Sequence, residues 1–285
     1  MKIENIVNHI ESVDPEIFQR LDGRRSAMKN FAKFSGKVAL ASLPIAFGSM
    51  LNKAYGSPTD IISDTLNFAL TLEYIESEFY KAAYDAATSG ALAIPAGAPM
   101  GAIKTIRDHE IAHVAFLKTA ITSLGATPVS FTAASFDFTA KGNFSAVFTD
   151  YALFLAVAQT FEDTGVRAYK GQAGNLMSNN DILTAALNIH SVEARHASHI
   201  RQMRKANGGL VPSGVNVKPW ITLNQSGIGS TAVQASYDGE ELTTQAKVPI
   251  VNIGGFTISA EAASEAFDEA LNKEQVTAIV TPFFA

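Results

Sequence analysis

Four long segments of helical periodicity, joined by links of unequal length, constrain this chain more than anything else in it. The first runs from just after Ser57-Pro58 to about Ser89 and the second from about Met100 to Leu124. The third runs from about Asn143 to Gly171 and the fourth from about Asn180 to Lys205, where Asn207-Gly208-Gly209 stops it. The first and last links are each about ten residues, the length that joins antiparallel neighbours. The middle link, Gly125 to Gly142, has 18 residues. Extended at ~3.3 Å per residue it reaches ~60 Å, whereas a helix of about 25 residues is only ~37 Å long. It can therefore run the length of a bundle and set the third helix parallel to the second. The pattern predicts a mainly α protein, a four-helix bundle over 58–208 made of two hairpins and one long crossover.

The flanks read differently. Residues 1–57 form an N-terminal arm or an export signal. Short helical stripes broken by Pro15 precede Arg24, Arg25 and Lys29, and then comes an apolar run from Val38 to Leu51. That run of 14 residues, interrupted by Pro44, falls short of the ~20 needed for a transmembrane helix. It resembles the hydrophobic part of a twin-arginine export signal, which implies an exported, periplasmic protein. Ala27 and Met28 depart from that signal, and the stretch before the arginines is long and acidic. The alternative is a retained helical arm on a cytoplasmic protein. Beyond 209 the chain is rich in Gly, Ser, Thr and Val, with helical pattern returning at Ser259–Leu271 and Lys273–Val280. Residues 209–285 are expected to wrap the bundle as an extended tail ending in short helices.

Composition removes several chemistries. No cysteine is present, which excludes disulfides, thiolate zinc sites, Cys-ligated iron–sulfur clusters and cysteine nucleophiles. A net charge of −5 argues against nucleic acid as a partner, since phosphate binding needs a basic face. Charged residues make up only 17% of the chain, too few to solvate every outer face of a bundle, so the tail or a second copy in a homo-oligomer should cover part of it.

Scarcity of charge makes the glutamates informative. Between Phe79 and Gly239 there are three: Glu110, Glu162 and Glu193. Two of them begin an E-x-x-H motif, Glu110–His113 in the second helix and Glu193–His196 in the fourth. Spacing i, i+3 puts carboxylate and imidazole on one helix face, able to bind one ion or to bridge to a second. The first and third helices offer Glu73, seven residues before Tyr80, and Glu162, seven residues before Tyr169. Two helical turns place each Glu and Tyr on one face, where the tyrosines are either core aromatics or donors to ligand carboxylates. Glu76 shares a face with Glu73 and competes with it, but only Glu73 reproduces the Glu/Tyr spacing of the third helix. His109 and His199 are read as supporting or surface residues, and Asp108 and Asp163 as pointing elsewhere. Four carboxylates inside an apolar bundle repel one another, and two divalent cations would neutralise them. Oxygen-rich ligation with one imidazole per ion suits iron or manganese better than structural zinc.

A Glu from each of two helices and E-x-x-H from the other two is the ligand pattern of ferritin-like di-iron and di-manganese carboxylate proteins. Over 60–205 the chain resembles that superfamily. More narrowly, the strings LEYIESEFY, VEARHA and AFDEALNKEQVTAIVTPF resemble bacterial ferritin-like domain proteins with twin-arginine leaders, related to plant desiccation-related proteins. The resemblance implies two metal ions, iron first and manganese second, held by Glu73, Glu110, His113, Glu162, Glu193 and His196. It further implies redox activity toward Fe(II), oxygen or peroxide. Peroxide dismutation of the manganese-catalase kind is the enzymatic alternative, and a metal-stabilised stress or envelope protein the non-catalytic one.

Overall fold

The structure, a computed structural model, describes residues 59–285. The N-terminal segment, with Arg24, Arg25 and the Val38–Leu51 run, lies outside the described residues. Four long helices dominate: α1 (Thr59–Thr88), α2 (Ala98–Ser123), α3 (Tyr151–Gln172) and α4 (Asn180–Asn207). α1 packs chiefly on α2, and α3 on α4, as hairpins with short links should. The Asn67 amide near the start of α1 donates to the Thr127 carbonyl just beyond α2. Thr65 and Leu66 in the same part of α1 line a cavity with Tyr169 and Gln172 at the end of α3. The C-terminal ends of α2 and α3 therefore share one end of the bundle. The two helices are parallel, as the long crossover requires.

α3 starts eight residues later than its periodicity implies. Phe144 and Val147 are buried at helical spacing, yet residues 141–149 are turns. Asp137 accepts from the Thr139 and Lys141 amides and fixes the chain in a turn. Asp150 then caps α3 by accepting from the Ala152 and Leu153 amides. The periodic signal was a local apolar pair inside the crossover, and the cap decided where the helix begins.

The core is aromatic. The Phe79 ring meets Phe138, Phe148, Phe154 and Phe161 at centroid distances of 5.0–5.5 Å. The tail closes this core from outside. It contains a two-stranded ribbon of β1 (Thr244–Gln245) and β2 (Val248–Pro249) and two short helices, α5 (Ala260–Ser264) and α6 (Lys273–Val280). Past α6, Phe283 packs edge-on against Phe161 at 4.7 Å, and Phe284 pairs with Phe136 of the crossover. Three buried arginines fasten the tail to α3 and α4. Arg167 donates to the carbonyls of Ser236, Asp238 and Glu269. Arg204 donates to Leu210 and Gly227, and Arg201 holds Asp163 in a bidentate pair to which the Tyr237 hydroxyl also donates. At Gly171 a Cβ would lie 1.9 Å from the Leu271 carbonyl oxygen, so no larger residue lets the tail approach α3 there. Among the described residues, no helix is long and apolar enough to cross a membrane.

Candidate metal centre

All six residues singled out in the sequence converge in the middle of the bundle. Glu73 comes from α1, Glu110 and His113 from α2, Glu162 from α3, and Glu193 and His196 from α4. The four carboxylates are fully buried and both imidazoles nearly so. They form two groups able to hold a metal ion: Glu73, Glu110, His113 and Glu193, and Glu110, Glu162, Glu193 and His196.

The two groups share Glu110 and Glu193, and each shared carboxylate divides its oxygens between them. Glu110 places Oε2 3.2 Å from His113 Nδ1 and Oε1 2.9 Å from His196 Nδ1. Glu193 places Oε1 3.0 Å from His113 Nδ1 and Oε2 3.5 Å from His196 Nδ1. Glu73 Oε2 completes the first group at 3.0 Å from His113 Nδ1, and Glu162 Oε2 the second at 3.2 Å from His196 Nδ1. Each imidazole nitrogen thus faces three carboxylates, more acceptors than one N–H can serve. Despite these approaches, Glu110 Oε1, Glu162 Oε2, both oxygens of Glu193 and Nδ1 of His196 are buried without a well-formed hydrogen bond among the described residues. Buried orphan atoms are costly unless something satisfies them. An all-oxygen and imidazole donor set aimed at two positions fits two divalent cations.

The tyrosines repeat the same symmetry. Tyr80 donates to Glu162 Oε1 at 2.5 Å, and Tyr169 donates to Glu73 Oε1. Each hydroxyl occupies the outer oxygen of its carboxylate and leaves the inner one for the centre. Burial first, then the adjacent carboxylate, pushes both phenols well above their ordinary range, so they stay donors.

In the metal-free cluster, charge separates. Burial raises Glu73, against the opposing pull of His113, to about 8, and raises Glu162 well above the usual carboxylate range. Burial also opposes ionisation of Glu110 and Glu193, but the imidazoles beside them win and hold both below their ordinary values. Against their own burial, His113 and His196 are raised by the surrounding carboxylates. The imidazoles thus favour their protonated form beside the two shared carboxylates, and binding of a metal ion would compete with those protons.

Neighbours that the sequence left undecided also find places. His109 is half-buried and stacks on His196, its Nδ1 2.9 Å from His196 Nε2, so it holds the nitrogen that faces away from the centre. His199 is exposed. Asp108 pairs with Lys104 and Arg107 on the surface, and Asp163 turns away from the centre to Arg201. Glu76, the competitor of Glu73, is buried as well. α1 thus sends two carboxylates inward where the pattern required one.

A family model for the ferritin-like domain matches residues 62–206, just over half of the chain, and the chain belongs to that family. No curated protein and no solved structure gives a significant match.

Proposed function

We propose that this protein holds a dinuclear iron or manganese centre and uses it in redox chemistry with Fe(II), oxygen or peroxide. The observation that carries the reading is the division of oxygens by Glu110 and Glu193 between two imidazole-marked positions. A single structural ion would need neither two shared carboxylates nor a second imidazole. Glu73 and His113 would serve one ion and Glu162 and His196 the other, with Glu110 and Glu193 bridging. A pair of ions held there would supply the redox equivalents for reaction with oxygen or peroxide. The chain's own residues prepare that exchange. Tyr80 and Tyr169 hold their protons on the outer oxygens of Glu162 and Glu73 and fix both carboxylates. His109 orients the His196 ring, which selects Nδ1 as the donor. Burial in the middle of the bundle keeps bulk water from the carboxylates.

A non-catalytic, metal-stabilised bundle is the second reading, favoured by the complete burial of Glu73, Glu110, Glu162 and Glu193. One paired measurement separates the two. Metal-free protein is reloaded with Fe(II), Mn(II) or Zn(II), and its melting temperature and its consumption of oxygen and peroxide are followed. Consumption with iron or manganese but not zinc supports the redox reading. Equal stabilisation by all three ions with no consumption of either oxidant overturns it.

A further inference from the structure

Stretches distant in sequence meet around the first turns of α3 and leave the space between them unfilled. Phe144 comes from the crossover, Leu153 and Val157 from α3, Leu210 from the turn after α4, and Ile228 and Val233 from the tail. They line a cavity of about 110 Å³. The cavities beside Tyr169 and Gly165 measure about 20 and 10 Å³, room for little more than one water. The larger one approaches the ~150 Å³ of an apolar protein cavity that stays dry and takes up benzene.

Its chemistry points to a hydrocarbon. Phe144, Val157, Ile228 and Val233 are buried, and their side chains present only carbon. The two polar side chains of the lining are already engaged: the Asn143 amide donates to the Ala140 carbonyl, and the Ser230 hydroxyl accepts from the Ala232 amide. A water in the cavity therefore lacks most of the about two to four polar partners it needs. Among the described residues no charged side chain lines it, so nothing there would hold an ion.

The mouth is held open by specific contacts. Asn143, Leu210 and Gly229 are its exposed residues. Leu210 has φ +53°, a left-handed backbone that strains a leucine. Gly209 before it lies so close to α3 that a Cβ would fall 2.5 Å from the Ala152 Cβ. The Arg204 guanidinium, 1% exposed, donates at 3.2 Å to the Leu210 carbonyl and at 2.7 Å to the Gly227 carbonyl. One buried cation thus ties both lips of the mouth, the turn that carries Leu210 and the stretch that leads into Ile228. The Leu210 side chain is still 44% exposed at the edge of an apolar hole. Covering an apolar occupant would take it out of water and offset part of its strain.

We propose that this cavity binds a small uncharged hydrocarbon, about the size of one aromatic ring, with Leu210 as its cover. The proposal does not depend on the metal centre. An occupant touches the crossover, α3 and the tail together, so it should raise the melting temperature of the folded chain by linkage.

The test is titration of the full-length protein with benzene, followed by calorimetry and by amide NMR shifts. One molecule should bind, and the shifted amides should include Leu153, Val157, Ile228 and Val233. Phenol has nearly the same shape, but its hydroxyl would go unpaired, so it should bind about ten-fold or more weakly. Ala156→Leu fills part of the cavity from α3 and should abolish binding. Leu210→Gly removes the cover and suits the left-handed backbone, so it should fold as the wild type does and bind benzene about ten-fold more weakly. It needs no repacking, and it keeps the test decisive where Ala156→Leu does not fold. Absence of saturable benzene binding, or shifts confined to residues around Tyr169, would overturn the proposal. So would phenol binding as tightly as benzene, or an unchanged affinity in Leu210→Gly.

Discussion

Glu193 is shared by both positions, and replacing it by Gln is a sharp test of the bridged geometry. The substitution keeps the side-chain volume inside α4 but turns one of the two oxygens into an amide nitrogen, which cannot face a cation. Each position then loses its share of one charged ligand out of four. A loss of ~10²-fold in affinity per ion corresponds to about 2.7 kcal/mol each. With free Mn(II) at about a hundred times the wild-type Kd, each ion stabilises the folded wild type by about 2.7 kcal/mol, so two ions give about 5 kcal/mol. At the same Mn(II) concentration the variant sits near its own Kd, where each ion contributes about 0.4 kcal/mol. At about 2–4 °C per kcal/mol for a chain of this size, the metal-dependent rise in Tm should fall from about 10–20 °C to about 2–3 °C. Scanning fluorimetry with and without Mn(II), alongside metal analysis, reads this directly. The comparison uses the gain on adding metal, so any change in the metal-free baseline cancels. A variant that keeps both ions and the full gain would show that Glu193 bridges nothing.

Other consequences are equally open to measurement. Between pH 6.5 and 8 the metal-free chain should lose stability, because His113, His196 and Glu73 keep protons in the folded state that the unfolded chain releases. The stabilisation gained with Mn(II) should grow over the same range as those protons leave, and melting curves at the two pH values would expose the opposite trend. Tyr169→Phe removes the hydroxyl that holds Glu73 and should weaken metal binding by about ten-fold while two ions still bind at saturation, which calorimetry can count. Arg201→Met leaves Asp163 buried without its cation and should cost about 3–5 kcal/mol in chemical denaturation, without altering metal stoichiometry. For the N-terminus we propose export: replacing Arg24 and Arg25 by Lys should retain the protein in the cytoplasm, and intact-mass analysis of the native protein should place its start near Ala54 to Ser57.

The bundle and the cluster were legible because both obey short-range rules. Helical period, glycine stops and link lengths fix four helices and their directions. Spacings of three and seven residues fix which side chains share a face, so Glu110 with His113 and Glu162 with Tyr169 could be paired on paper. What escaped depends on contacts across helices. Glu73 and Glu76 share one face of α1, and the sequence does not show that Glu76 also turns inward, against Gly165 of another helix. The contact between His109 and His196 joins α2 to α4, and no spacing along either helix encodes it. The start of α3 was hidden by Phe144 and Val147, a helical spacing realised in a turn, while Asp150 carried the true signal as a cap.

The route by which the tail is held also sets a timetable for folding. Arg167 binds a carbonyl 102 residues further along the chain, and Lys141 one that is 143 residues away. Contacts of such sequence separation form slowly, since a long loop must close before they give anything back. During synthesis α3 and α4 emerge with their guanidinium groups and the Phe161 face uncovered. They stay so until the ribosome has released the chain through at least residue 284. A nascent bundle therefore passes through a stage with exposed apolar surface and unpaired buried-type charges, the kind of intermediate on which holding chaperones act. Closure of the tail is therefore timed by the far end of the described chain rather than by the helices that carry the buried cluster.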